Sequence, residues 1–165
     1  MHLAAVLACL ALAPAAPDRA VPAAAIASKE PAMKIHAEGA FDVKLAPLPA
    51  DAGRPGSFPR LSIDKTFHGD LAGTSAGEMT ATGMSPIGSG AYVAVERVQG
   101  TLAGREGTFV LLHLGTMHAG AQSLSVTVAP GSGTGGLAGL EGALTIRIEP
   151  GGKHFYAFDG TLPSP

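Results

Sequence analysis

The chain has no tryptophan, a single cysteine, and only 5% aromatic and 15% charged residues. Each shortage closes a route. With no Trp and few rings, it lacks the stacking platforms of single-strand nucleic-acid binders and the wall of a Trp-lined sugar site. Its Lys and Arg residues are scattered and the formal net charge is −2. No basic face is available to track phosphates, so nucleic acid is not an expected partner. The one cysteine, Cys9, sits in the first apolar segment. Everything after it is thiol-free, which excludes disulfides, Cys-based zinc sites and a cysteine nucleophile there. The apolar run Leu3–Ala13 is too short to span a bilayer as a helix, so no membrane span is expected.

What is present points to one domain behind a leader. The 165 residues allow a single domain, and residues 33–165 can bury a core unaided. Residues 1–32 combine the apolar run with a Pro/Ala-rich stretch, the pattern of a signal peptide and linker. That places the product in the periplasm or outside the cell. No Lys or Arg precedes the run, and Met33 opens a sensible domain, so a cytoplasmic product starting at Met33 is the alternative. Val6-Leu7-Ala8-Cys9 is a poor lipoprotein box, with bulky Leu7 where a small residue is preferred.

Beyond the leader, period-2 alternation recurs between turn residues, the signal of half-buried strands. It predicts eight strands, at Lys34–Leu45, Arg60–His68, Ala76–Met84, Ala91–Val98, Gly107–Met117, Gln122–Ala129, Ala143–Glu149 and Lys153–Leu162. Ala46–Pro59 is a Pro/Gly-rich loop. No stretch sustains a helical apolar stripe. Gly69-Asp-Leu71-Ala-Gly73 recurs as Gly100-Thr-Leu102-Ala-Gly104 and Gly135-Gly-Leu137-Ala-Gly139, with a partial copy at Gly160-Thr-Leu162. Each copy reads as a hairpin closure, its glycines taking turn positions and its Leu plugging one end of the core. Eight antiparallel strands in a small domain invite closure into a barrel, which removes exposed edges and leaves an interior that is filled or holds one small ligand.

The segments Gly73–Met79, Tyr92–Val98, Gly104–Leu111 with His113, and Ser132–Gly135 together resemble a bacterial family catalogued as domain of unknown function 3224. That family is similar to the allene-oxide-cyclase-like, calycin-type barrels, which include the plant dirigent proteins. The resemblance covers nearly all of residues 33–162 and implies an eight-stranded barrel; it carries no function across. The chain departs from the pattern at Gly131 and Gly136, where members carry acidic residues, so no acid-dependent role is expected of that turn.

Glu78, Glu96, Tyr92 and His113 are the candidate reactive residues. Glu96 shares a strand face with Tyr92, Ala94 and Val98; His113 shares one with Phe109, Leu111 and Met117; Glu78 shares one with Thr80, Thr82 and Met84. If these faces line the interior, desolvation displaces the pKa of a carboxylate or imidazole, as acid–base work requires, and Tyr92 can polarise a carbonyl or epoxide oxygen. The competing reading pairs these groups with one another or with loop amides. A ligand in the barrel would meet Tyr92, Glu96, Phe109, Leu111, His113 and Met117.

No metal is expected: His113 and His118 fall on opposite strand faces, and His36, His68 and His154 show no ligand spacing. The Gly131–Ala138 stretch matches GxGxxA but no helix follows, so it is no dinucleotide site; it reads as a mobile loop at one barrel mouth. Ser132 has no identifiable catalytic partner. No cofactor is implied. Three functional readings follow: a binding module for a small apolar or amphipathic molecule, a cofactor-independent isomerase, cyclase or lyase, or a filled-core, homo-oligomeric scaffold.

Overall fold

In the computed structural model, residues 32–49, 56–83, 85 and 88–164 are described. The expected leader with Cys9, and Met84 at the end of an expected strand, lie outside them. Nine strands follow one another in the chain: β1 Ala32–Pro47, β2 Arg60–Gly69, β3 Leu71–Ala81, β4 Gly90–Leu102, β5 Arg105–His118, β6 Ala121–Val128, β7 Thr134–Gly135, β8 Glu141–Glu149 and β9 Lys153–Pro163. Each pairs antiparallel with its neighbours, and β4 closes onto β5. All but the two-residue β7 form a closed eight-stranded antiparallel barrel. No helix occurs among the described residues.

The alternation of side chains in each strand dictates what faces inward. In β4, Ala94, Glu96, Val98 and Leu102 are buried while Val93, Val95, Arg97 and Gln99 are exposed. In β5 the buried set is Phe109, Leu111, His113 and Gly115. Turn chemistry fixes the register. Ala103–Gly104 and Ala119–Gly120 both take positive φ in two-residue connections, the conformation that matches strand twist in a hairpin.

The repeated leucines do collect at one end. Leu71, Leu102, Leu137 and Leu162 are each at most 1% exposed, and Leu71 pairs directly with Leu102 across β3 and β4. Not every glycine of the repeat is a turn residue. Gly73 faces Gly100 in the ladder, where a Cβ would lie 2.2 Å from the Gln99 carbonyl oxygen. These glycines allow close strand approach instead.

The Gly131–Ala138 stretch corrects an expectation. It lies at the closed end, where β7 pairs with Gly107 and Thr108 of β5 and Leu137 enters the core with Leu140. It is a plug, and the mouth is at the other end. Ser132 is part of that plug: its hydroxyl accepts from the Val110 amide at 3.0 Å and donates to the Ala129 carbonyl at 2.7 Å.

The weakest seam joins β6 to β8, where only Thr127 and Ala143 pair. Toward the mouth no further residue of β6 pairs with β8.

Candidate functional site

The barrel interior has three levels. At the closed end, side chains fill it: Phe109 packs on Phe158 with ring centroids 6.5 Å apart, among the repeat leucines. At mid-height is a polar layer built from three adjacent strands and β5. Near the other end the interior opens into an apolar mouth.

Glu96 anchors the polar layer and is fully buried. Lys65 of β2 reaches its Oε2 with Nζ at 2.7 Å. Ser75 of β3 donates to its Oε1. His113 of β5 places Nε2 2.9 Å from Oε2, although that ring nitrogen is not aligned for a hydrogen bond. Gly77 makes the space: a Cβ there would lie 2.7 Å from the Glu96 Cα. Lys65 is further held over the rings of Phe41 and Phe67, 5.1 and 5.8 Å from their centroids.

The energetics follow from this crowding. Burial alone pushes the Glu96 carboxyl up; His113, Lys65 and Ser75 outweigh it and bring the pKa down to about 2. The carboxylate is therefore ionised at neutral pH, with its partners already in place. A carboxylate so acidic and so well occupied is a poor proton acceptor. Its chemistry here is to hold Lys65 and His113, and to tie β2, β3, β4 and β5 together inside the barrel.

Above this layer, Met79, Tyr92, Met117, Leu124 and Ile148 surround a cavity of about 440 Å³, lined by no charged residue. Leu124 and Ile148 are in phase with the buried residues of their strands, yet are 43% and 63% exposed. Both lie on the stretches of β6 and β8 that do not pair with each other. Tyr92 lies against β5 where Gly115 has no side chain; a Cβ there would be 2.1 Å from the Tyr92 Cε1. Burial, followed by the nearby Glu96 charge, raises the Tyr92 pKa, so the phenol stays protonated.

The structure separates the candidate residues. Tyr92, Glu96 and His113 share the interior, with Tyr92 at the mouth and the other two below it. Glu78 does not join them: it points outward and pairs with Arg60 on the surface. The phase of β3 explains this, since Leu71, Ser75 and Met79 alternate inward and Glu78 falls between. Among the residues expected to meet a ligand, Tyr92 and Met117 line the cavity. Phe109 and Leu111 are corrected to core: both are fully buried in the filled half, because β5 runs from the plugged end toward the mouth.

Lys65 and Ser75 are essential to the layer but were not singled out from the sequence. A signal existed for Lys65, which stands in phase with the apolar stripe Leu61, Ile63 and Phe67. A charge on an apolar stripe needs a buried partner, and Glu96 was the available acid.

Among the described residues, no group of three or more His, Cys, Asp or Glu is placed to hold a metal. His36 pairs with Asp159 and His68 with Asp42 on the outer surface, and His154 stacks on Phe41 with ring centroids 5.1 Å apart.

A closed eight-stranded barrel with a filled lower half, a buried ionic layer and an apolar mouth thus defines the kind of protein this is. The chain belongs to the family described as protein of unknown function DUF3224, whose model matches residues 37–159. It is similar to a protein of unknown function from that family in Shewanella oneidensis MR-1, known from a crystal structure. The two are 43% identical, with a TM-score of 0.71, over 81% of this chain and 100% of the other. No curated protein matches the sequence.

Proposed function

We propose that this protein binds a small apolar or amphipathic molecule in the mouth of its barrel. The observation that carries this reading is the exposure of inward-phased Leu124 and Ile148 around a 440 Å³ cavity with no charged wall. Cavities that take small organic ligands are roughly 300–1,000 Å³ and mostly apolar. Met79 and Met117 add adaptable walls. Binding without turnover is favoured because Glu96, the best-placed carboxylate, is occupied by Lys65, Ser75 and His113. The likeness of the sequence to allene-oxide-cyclase-like, calycin-type barrels belongs to the same proposal, as does export by the 1–32 leader, supported by a domain without thiols.

Titration with N-phenyl-1-naphthylamine tests the reading, and the absence of Trp keeps the protein's own fluorescence low. Saturable enhancement that Leu124→Lys abolishes, with the thermal transition retained, is the expected result. A folded wild-type protein that gives no enhancement would overturn it. Intact mass after expression from Met1 in a Gram-negative host tests the leader: a shortened chain is expected.

The second reading is a self-associating scaffold. On the outer wall Val93 pairs with Leu114 and Val95 with Leu112, all four at least 40% exposed. Sedimentation of the wild type beside Val95→Lys separates this reading from the first; a monomer in both would remove it.

A further inference from the structure

The cavity contains one feature that an apolar ligand alone would leave unsatisfied. Among the described residues the Tyr92 hydroxyl has no hydrogen-bond partner, although the residue is half-buried and lines the cavity. The other tyrosine shows what a satisfied phenol looks like in this barrel. The Tyr156 hydroxyl accepts from the Leu71 amide at 2.8 Å and lies 3.2 Å from the His68 carbonyl oxygen, to which it can donate. Tyr92 is also prepositioned, since its ring rests where Gly115 lacks a side chain. A donor held ready in an apolar cavity asks for an acceptor on the ligand.

The charges below decide which acceptor. Glu96 carries a fixed negative charge close enough for the Tyr92 phenol to sense it. The other polar groups of the layer offer nothing in return: Lys65 is turned onto Glu96 at 2.7 Å, and the His113 ring faces the same oxygen at 2.9 Å. A carboxylate ligand would lose its water, meet a single neutral donor and approach Glu96. A neutral carbonyl oxygen meets the same donor without that repulsion. Resting on the binding reading above, we infer that the mouth selects a neutral apolar molecule bearing an ester, ketone or lactone carbonyl. Tyr92 donates to that carbonyl, and the corresponding free acid is disfavoured.

Three probes of one shape separate the terms: methyl 2-naphthoate, 2-naphthoate and 2-ethylnaphthalene, each displacing N-phenyl-1-naphthylamine at neutral pH. The ester is expected to bind about tenfold tighter than the hydrocarbon, the worth of one neutral hydrogen bond, and tighter again than the acid. In Tyr92→Phe the ratio of ester to hydrocarbon affinity falls to about one, whatever the absolute affinities do. An acid that binds as tightly as the ester overturns the inference, as does an ester preference that survives Tyr92→Phe. In either case naphthylamine binding stands and the cavity reading with it. If no probe binds the folded wild type, the cavity reading and this inference fall together.

Discussion

The two ends of the barrel apply the same alternation of side chains to opposite effect. At the plugged end, inward-phased Leu102, Phe109 and Leu162 are completely buried. At the mouth, inward-phased Leu124 and Ile148 are about half-exposed or more. The cause is what lies across the opening. The plugged end has β7 and the segment around Leu137 folded over it, whereas toward the other end β6 and β8 make no ladder pair beyond Thr127 and Ala143. The two tyrosines repeat the contrast, one bonded at every turn and one left as a free donor. An inward-facing residue is therefore core or binding wall according to its height in the barrel. Between the ends lies the Lys65–Glu96 layer.

The largest effects should break the plugged end while sparing the mouth. Phe109→Ala is expected to cost about 3–5 kcal/mol in urea unfolding, and Ile148→Ala less than about 1 kcal/mol. Equal losses would mean that the mouth is packed and the contrast is false. Next is the layer between them. Glu96→Gln leaves Lys65 buried without its counter-ion and should cost about 3–5 kcal/mol. Adding Lys65→Met removes the orphaned charge, so the double variant should lose less than the sum of the two singles. Strict additivity would show that the pair is not coupled.

Acid titration reads the same layer more gently. Glu96 is held at about 2, below the ordinary carboxylate range, so the folded state prefers the ionised form. Its contribution is fully present above about pH 4.5 and is lost as the pH falls toward 2. Unfolding free energy should decline across that window in the wild type and much less steeply in Glu96→Gln; matching profiles would assign the acid sensitivity to other carboxylates. The smallest contrast is between the tyrosines. Tyr156→Phe removes a bridge among β9, Leu71 and His68 and should cost about 1–2 kcal/mol. Tyr92→Phe removes no bond and should change the unfolding free energy by less than about 0.5 kcal/mol.

Much of this was legible in the sequence, for reasons that differ by residue. The eight long strands were readable because alternation with period two and glycine-marked turns are local signals. The burial of Leu71, Leu102, Leu137 and Leu162 was readable because four copies of one motif imply one shared environment. The outward position of Glu78 was legible too, from its phase against Leu71, Ser75 and Met79. It was obscured by grouping Glu78 with Thr80 and Thr82, polar residues that themselves mark an outer face. Phe109 and Leu111 share their strand face with His113 and Met117, so phase could not tell filled core from cavity wall.

By itself the sequence determined which residues share a strand face, where most of the turns fall, and that a barrel would form from a stretch without thiols. Tertiary structure decided the rest, because height and neighbour identity depend on how far each strand is staggered against the next. That stagger brings Lys65, Ser75 and His113 onto Glu96 from three other strands. It also folds the glycine-rich segment over one end and leaves the other open beside Tyr92, through contacts between residues far apart in the chain.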